Sequence, residues 1–120
     1  MRPKTAQLWG AVLALLGVGL GAFGAHALKP LLLRNETLDG WQTAVHYQWF
    51  HALALLALSG QLKRGPAICW LVGTLFFSGS LYILTTNPTQ IWAGPITPLG
   101  GLLFIVGWIW FIVNVARRKE

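Results

Sequence analysis

Apolar residues along this chain come in long, nearly unbroken runs rather than the alternating or one-faced patterns of a soluble domain. Four runs stand out: Leu8 to Leu28, Val45 to Leu62, Ala67 to Leu84 and Pro98 to Val115. Each approaches the ~20 residues that a helix needs to cross a ~30 Å hydrocarbon core. In lipid only helices or closed barrels satisfy the backbone, and these runs exceed the roughly 10 residues of a barrel strand. The pattern predicts an all-α membrane protein, a four-transmembrane-helix bundle that forms one domain over residues 1–120.

Local signals punctuate the runs. Lys29-Pro30 is expected to stop the first helix, and the mixed segment Leu31 to Leu38 reads as a short interfacial helix. Lys63-Arg64-Gly65-Pro66 forms a polar turn that folds the second and third helices into an antiparallel hairpin. Asn87-Pro88 opens the last loop, and Thr97-Pro98 reads as an N-cap followed by a first-turn proline.

Charge then orients the chain. Nine Lys and Arg face three Asp and Glu, for a net charge of +6. The basic residues sit at the termini and in short loops, not in a stripe interleaved with aromatics, so nucleic-acid binding is not expected. Only 10% of the residues are charged, against roughly 25% in a soluble domain. The two termini and the middle loop hold seven basic residues: Arg2, Lys4, Lys63, Arg64, Arg117, Arg118 and Lys119. The opposite side has Lys29 and Arg34, offset by Glu36 and Asp39. The positive-inside rule therefore predicts an N-in/C-in topology in a plasma membrane. Trp9 and Trp70 on one side, with Trp41 and Trp92 on the other, fit an interfacial aromatic belt. A cleaved signal peptide ending near Ala25-His26-Ala27 is the rival reading of the N-terminus, but its apolar run is longer than the usual ~7–15 residues.

Helix faces suggest packing. The first helix carries a stripe of Gly10, Ala14, Gly17, Gly21 and Gly24, in which Gly17 and Gly21 form a GxxxG pair that lets a neighbouring backbone approach. A looser second set, Ala11, Gly19, Ala22 and His26, lies roughly opposite. It is expected to touch a second helix of the bundle or, alternatively, another copy of the chain or another membrane protein. In the fourth helix Gly100, Gly107 and Asn114 recur every seven residues, a packing seam in which Asn114 offers an interhelical hydrogen bond.

Polar residues are distributed unevenly. His26, His46, Tyr47, Gln48, His51, Ser78, Ser80 and Tyr82 all fall in the outer halves of their helices, with Thr97 at the start of the fourth. This is the candidate intramembrane polar cluster. His51 is the deepest of them, and an intramembrane ionisable group is a functional hypothesis in itself. Tyr47 or Gln48 could bond it locally, and Ser78 or Ser80 across the bundle. His46 lies about 140° around the helix from His51, so the two cannot chelate one metal. With Cys69 the only cysteine, no metal or other cofactor is expected. The acidic residues Glu36, Asp39 and Glu120 lie outside the runs, and no pair of carboxylates serves acid–base catalysis. Two functions remain open. One is a non-enzymatic structural or interaction module held by its polar layer; the other is an oligomeric binding or permeation protein for a small solute or proton.

The strings Gly21-Ala22-Phe23-Gly24-Ala25-His26-Ala27-Leu28, Trp41-Gln42-Thr43-Ala44-Val45-His46-Tyr47-Gln48, His51-Ala52-Leu53-Ala54-Leu55-Leu56, Phe77-Ser78-Gly79-Ser80-Leu81-Tyr82 and Gly94-Pro95-Ile96-Thr97-Pro98-Leu99-Gly100-Gly101 are distinctive. Together they resemble a family of small bacterial inner-membrane proteins, domain-of-unknown-function family 423, also called uncharacterised protein family 0382. The resemblance spans nearly the whole chain. It implies a four-helix, multi-pass plasma-membrane protein whose first helix stays uncleaved, and it assigns no activity.

Overall fold

A computed structural model describes residues 1–119. Helix α1 spans Pro3–Ala25, α2 Lys29–Arg34, α3 Leu38–Ala57, α4 Arg64–Thr86 and α5 Ile96–Ala116, with a single 3-10 turn at Ile91–Ala93 before α5. The described residues contain no strand. Three stretches, α1, α4 and Ile91–Ala116, are long and apolar enough to cross a membrane, with mean hydropathies of 1.9, 1.8 and 2.1.

Element boundaries depart from the sequence reading where polar residues hide a helix. Prolines open helices here instead of closing them. Pro3 stands in the first turn of α1 and Pro30 in that of α2, where a missing N–H costs nothing. Thus α1 ends at Ala25, before Lys29-Pro30, as the His26 N–H turns back onto the Ala22 and Phe23 carbonyls. Pro66, expected in a loop, lies in the first turn of α4. The second long helix starts at Leu38, well before Val45, and stops at Ala57, short of Leu62. Its opening turns contain Asp39, which suits the positive end of the helix dipole.

Leu32 on α2 is fully buried while Leu33 is exposed, so the short helix lies across the end of the molecule with one face inward. Asn35 Nδ2 and Thr37 Oγ1 donate to the Thr85 carbonyl at 3.1 and 2.6 Å. That carbonyl is one of those left without an intrahelical partner at the end of α4.

The long helices pack in chain order, α1 on α3, α3 on α4 and α4 on α5, so α1 and α5 form the flanks. Principal extents of 53 × 26 × 17 Å describe a flattened bundle. Its deepest apolar packing joins Leu55, Leu62, Ala67, Trp70 and Phe104. The second small face of α1 meets no helix. Ala11, Ala22 and His26 are exposed, and nothing lies within 4 Å of a Cβ added at Gly19.

Both termini and the α3–α4 turn share one end of the bundle. Gln7 Nε2 donates to Ser59 Oγ at 3.2 Å, and Arg118 Nη1 to Gln61 Oε1 at 2.7 Å. All seven basic residues of the termini and middle loop therefore gather at one end, and α2 with the α4–α5 connection lies at the other.

Candidate functional site

The polar cluster assembles around α3, one of the two inner helices, which packs between α1 and α4. Going up α3, Trp41 donates from Nε1 to the Leu20 carbonyl at 2.9 Å, and Gln48 donates from Nε2 to the Leu13 carbonyl at 2.9 Å. Both acceptors are backbone oxygens inside α1. Helical side chains lean back over the preceding turn, so the residue four positions on normally covers a carbonyl. Here those residues are Gly24 and Gly17. A Cβ at Gly24 would run into the Trp41 indole, and one at Gly17 into the Trp49 ring. The glycines thus uncover the carbonyls and let α3 reach them.

Gln48 continues the chain of bonds. Its Oε1 accepts from Tyr82 Oη at 2.6 Å, so one amide ties α1, α3 and α4 together. Trp41 packs over the Tyr82 ring, with centroids 4.8 Å apart. On the next turn Ser78 Oγ donates to the Ala44 carbonyl at 2.7 Å. Ser80 bonds the Thr97 hydroxyl, joining α4 to the first turn of α5. Thr97 is therefore a bridge, and the N-cap position of α5 belongs to Pro95, which provides no side-chain cap.

His51 bonds Tyr47 locally, through the backbone carbonyl, and has two further partners on α5 that local spacing did not suggest. It is 2% exposed, stacked on Phe104 at a 3.8 Å centroid distance, and bonded through Nε2 to Trp108 Nε1 at 3.0 Å. An indole N–H can only donate, so Nε2 accepts and the ring proton sits on Nδ1. Nδ1 then donates to the Tyr47 carbonyl at 2.8 Å. Both nitrogens are occupied by one neutral tautomer. Neither Gln48 nor the serines reach it.

Four of the eight sequence candidates are buried: Gln48, His51, Ser78 and Ser80. Tyr82 joins them through its hydroxyl. His26 and His46 are exposed and stay outside the network, and Tyr47 contributes its carbonyl while its ring, partly exposed, packs against Phe77. Sequence reasoning missed Trp108, and it put Trp41 and Trp70 in the interfacial belt. Both are buried, whereas Trp9 and Trp92 are exposed. Asn114 makes no interhelical bond; its Nδ2 is buried without an acceptor, as is Trp70 Nε1. Gly100 and Gly107 lie against Phe77 and Trp70 of α4. Among the described residues no three of His, Cys, Asp and Glu converge to hold a metal. Beside this network, α3 and α5 flank an open apolar groove of about 770 Å³, walled in part by His46, Tyr47 and His51.

Comparison with known proteins places the chain. No solved structure matches it. The membrane protein SSP2132 of Staphylococcus saprophyticus, of the UPF0382 group, is 46% identical over 95% of this chain and 98% of its own length. YwdK of Bacillus subtilis, a UPF0382 membrane protein, is 45% identical over 95% of this chain and 98% of its own length. The UPF0382 inner membrane protein YgdD of Escherichia coli K12 is 38% identical over all of this chain and 95% of its own. Residues 20–101 match the family described as "Protein of unknown function (DUF423)", and an all-helical chain with several membrane-spanning stretches, so similar to these relatives end to end, belongs to that family of membrane proteins.

Proposed function

We propose that this chain is a non-enzymatic structural or interaction module of the bacterial inner membrane. In this reading it crosses the bilayer four times with both termini in the cytoplasm. The fourth crossing is α3. Its 20 residues reach about 30 Å, and its polar side chains are tolerable in lipid because they point to neighbouring helices. Orientation rests on the seven basic residues at the terminal end. Reporter fusions after Gly65 and after Lys119 should read cytoplasmic, and one after Asp39 external; an external C-terminus would end this topology.

One observation carries the functional reading. The buried polar side chains Gln48, His51, Ser78 and Ser80, together with the Tyr82 hydroxyl, all bond protein atoms. A site waiting for a solute or proton keeps donors and acceptors aimed into open space, whereas these are spent on joining helices. The α3–α5 groove favours the second reading, an oligomeric binding or permeation protein with His51 at the groove wall. Reconstituted vesicles containing a pH-sensitive dye separate the two. The structural reading expects proton flux no different from empty vesicles across pH 5–8, with wild type and His51→Gln alike. A pH-dependent flux that His51→Gln abolishes would favour the second.

A further inference from the structure

At the terminal end of the bundle, α5 runs out against the α3–α4 turn. A depression of about 440 Å³ opens there, lined by Gly60, Gln61, Lys63, Asn114, Arg117 and Arg118. Its chemistry is one-sided: three cations line it and, among the described residues, no acidic side chain does. Arg118 is held in place by its bond to Gln61, which leaves most of the guanidinium's five N–H groups for a ligand. Asn114 also lines the depression; its Nδ2 is buried beside it without an acceptor, a costly arrangement that a rotation of the amide toward a ligand oxygen would relieve. Lys63 is the N-cap residue of α4, whose first-turn N–H groups have no side-chain cap. An uncapped helix N-terminus contributes further positive potential. The opposing carbonyls at the end of α5 are partly answered already, since the Arg117 and Arg118 N–H groups bond Val113 and Val115.

We propose that this depression binds the phosphate of an anionic phospholipid headgroup. Two guanidinium forks and an ammonium suit phosphate oxygens, and the Asn114 amide supplies a directed donor that a diffuse charge cloud lacks. A free phosphate would present the same oxygens. The level of the site selects the lipid, because Val113 and Val115 on the same stretch of α5 expose apolar side chains. The depression thus sits where acyl chains give way to headgroups, the place at which basic pockets between membrane helices recognise anionic lipids. Topology alone asks only that the charges lie on one side. It does not ask for a concavity, a pinned arginine and an unmatched amide among them.

The test uses the full chain in detergent, with phosphatidylglycerol and phosphatidylcholine added in equal amounts and retained lipid counted by native mass spectrometry. Wild type should prefer phosphatidylglycerol by about tenfold, the scale of a few charge-assisted bonds at a partly wet site. Asn114→Leu removes no charge yet should reduce that preference severalfold. Lys63→Gln with Arg117→Gln should nearly abolish it, and Arg2→Gln with Lys4→Gln, the same charge loss at the same end, should leave it unchanged. If Asn114→Leu does not fold, the comparison of the two exposed pairs carries the test alone. Equal losses from both pairs would reduce the effect to surface electrostatics and overturn the site. Binding of inorganic phosphate by lipid-free protein, with no preference between the two lipids, would overturn the lipid assignment.

Discussion

The α1–α3 and α4–α5 interfaces solve one problem with different chemistry. Both are antiparallel, and both are built on glycines seven residues apart: Gly10, Gly17 and Gly24 in one, Gly100 and Gly107 in the other. Against α1, the facing helix fills the space with hydrogen-bonding side chains, as Trp41 and Gln48 donate to carbonyls that the glycines expose. Against α5, the facing helix brings aromatic bulk. Phe77 lies over Gly100 and Trp70 over Gly107, and Phe104 packs in turn against Gly73. The α4–α5 seam buries Trp70 Nε1 without a partner among the protein atoms. In lipid there is no hydrophobic drive between helices, so close van der Waals packing and hydrogen bonds must supply the attraction. Each interface leans on one of these two terms.

The comparison predicts where substitutions hurt most. A Cβ at Gly100 would come closer than 3.0 Å to the Phe77 backbone nitrogen and Cα, and backbone cannot swing aside. Gly100→Ala should therefore cost about 3 kcal/mol or more through overpacking, read as loss of thermal stability in detergent. At Gly17 the obstacle is the Trp49 side chain, which is 40% exposed and has somewhere to go. Gly17→Ala should cost about 1–2 kcal/mol. If Gly17→Ala proves the worse of the two, the α1–α3 interface is the more rigid one and the comparison inverts.

The next effect in size concerns His51, where the two halves of the molecule meet. His51→Leu strips the Trp108 indole of its acceptor and should cost roughly 1–2 kcal/mol, the upper range for hydrogen bonds between membrane helices. Gln can still accept from the indole, so His51→Gln should recover at least half of that loss. Melting temperatures of the two variants, measured side by side, check this. Equal losses would mean that the stacking on Phe104, and not the hydrogen bond, is what His51 contributes.

These features differ in how far the sequence exposes them. The long apolar runs and glycine spacings are visible because they are properties of single helices. The direction of a tryptophan is not. Trp41 and Trp70 have the composition of belt residues, yet they lie inside because glycines on another helix, Gly24 and Gly107, make room for them. The start of α3 was obscured in the same way. Asp39, Gln42 and Thr43 look like a loop until Trp41 is seen to close on α1. The role of Thr97 depended on Ser80 facing it, and the partner of His51 on the register that places Trp108 nearby. A faint signal existed, since Trp41 and Gln48 repeat the seven-residue spacing of Gly24 and Gly17 in reverse order. Sensing it would have required knowing that α1 and α3 are antiparallel neighbours.

A smaller effect separates the hydrogen-bonded interface from simple packing. Gln48 both donates to α1 and accepts from Tyr82. Tyr82→Phe and Gln48→Leu, singly and together, form a cycle whose coupling should be about 0.6 kcal/mol and no more than about 1.7. A coupling indistinguishable from zero would show that the Tyr82 hydroxyl bond adds nothing to the joint and that Gln48 acts through α1 alone.

The smallest effects come from the glycines that composition singled out most strongly. Gly21 completes the GxxxG pair with Gly17, and spacing alone puts it at the tightest contact. Its added Cβ would meet only Val45 Cγ1 at 3.5 Å, an ordinary van der Waals distance, while Gly19 has open space around it. A methyl at Gly21 fits the gap toward α3 and gains contact, and one at Gly19 replaces only lipid. Both Ala variants should therefore stay within about 0.5 kcal/mol of wild type, as surface substitutions do, with Gly21→Ala the more stable of the two. Larger side chains separate them further. Gly21→Leu has to displace Val45 and should cost about 1–3 kcal/mol by overpacking, whereas Gly19→Leu should not register in the melting of the monomer. A marked loss from Gly19→Ala or Gly19→Leu, paired with a change in oligomer size, would mean that the exposed face of α1 packs against a second copy after all.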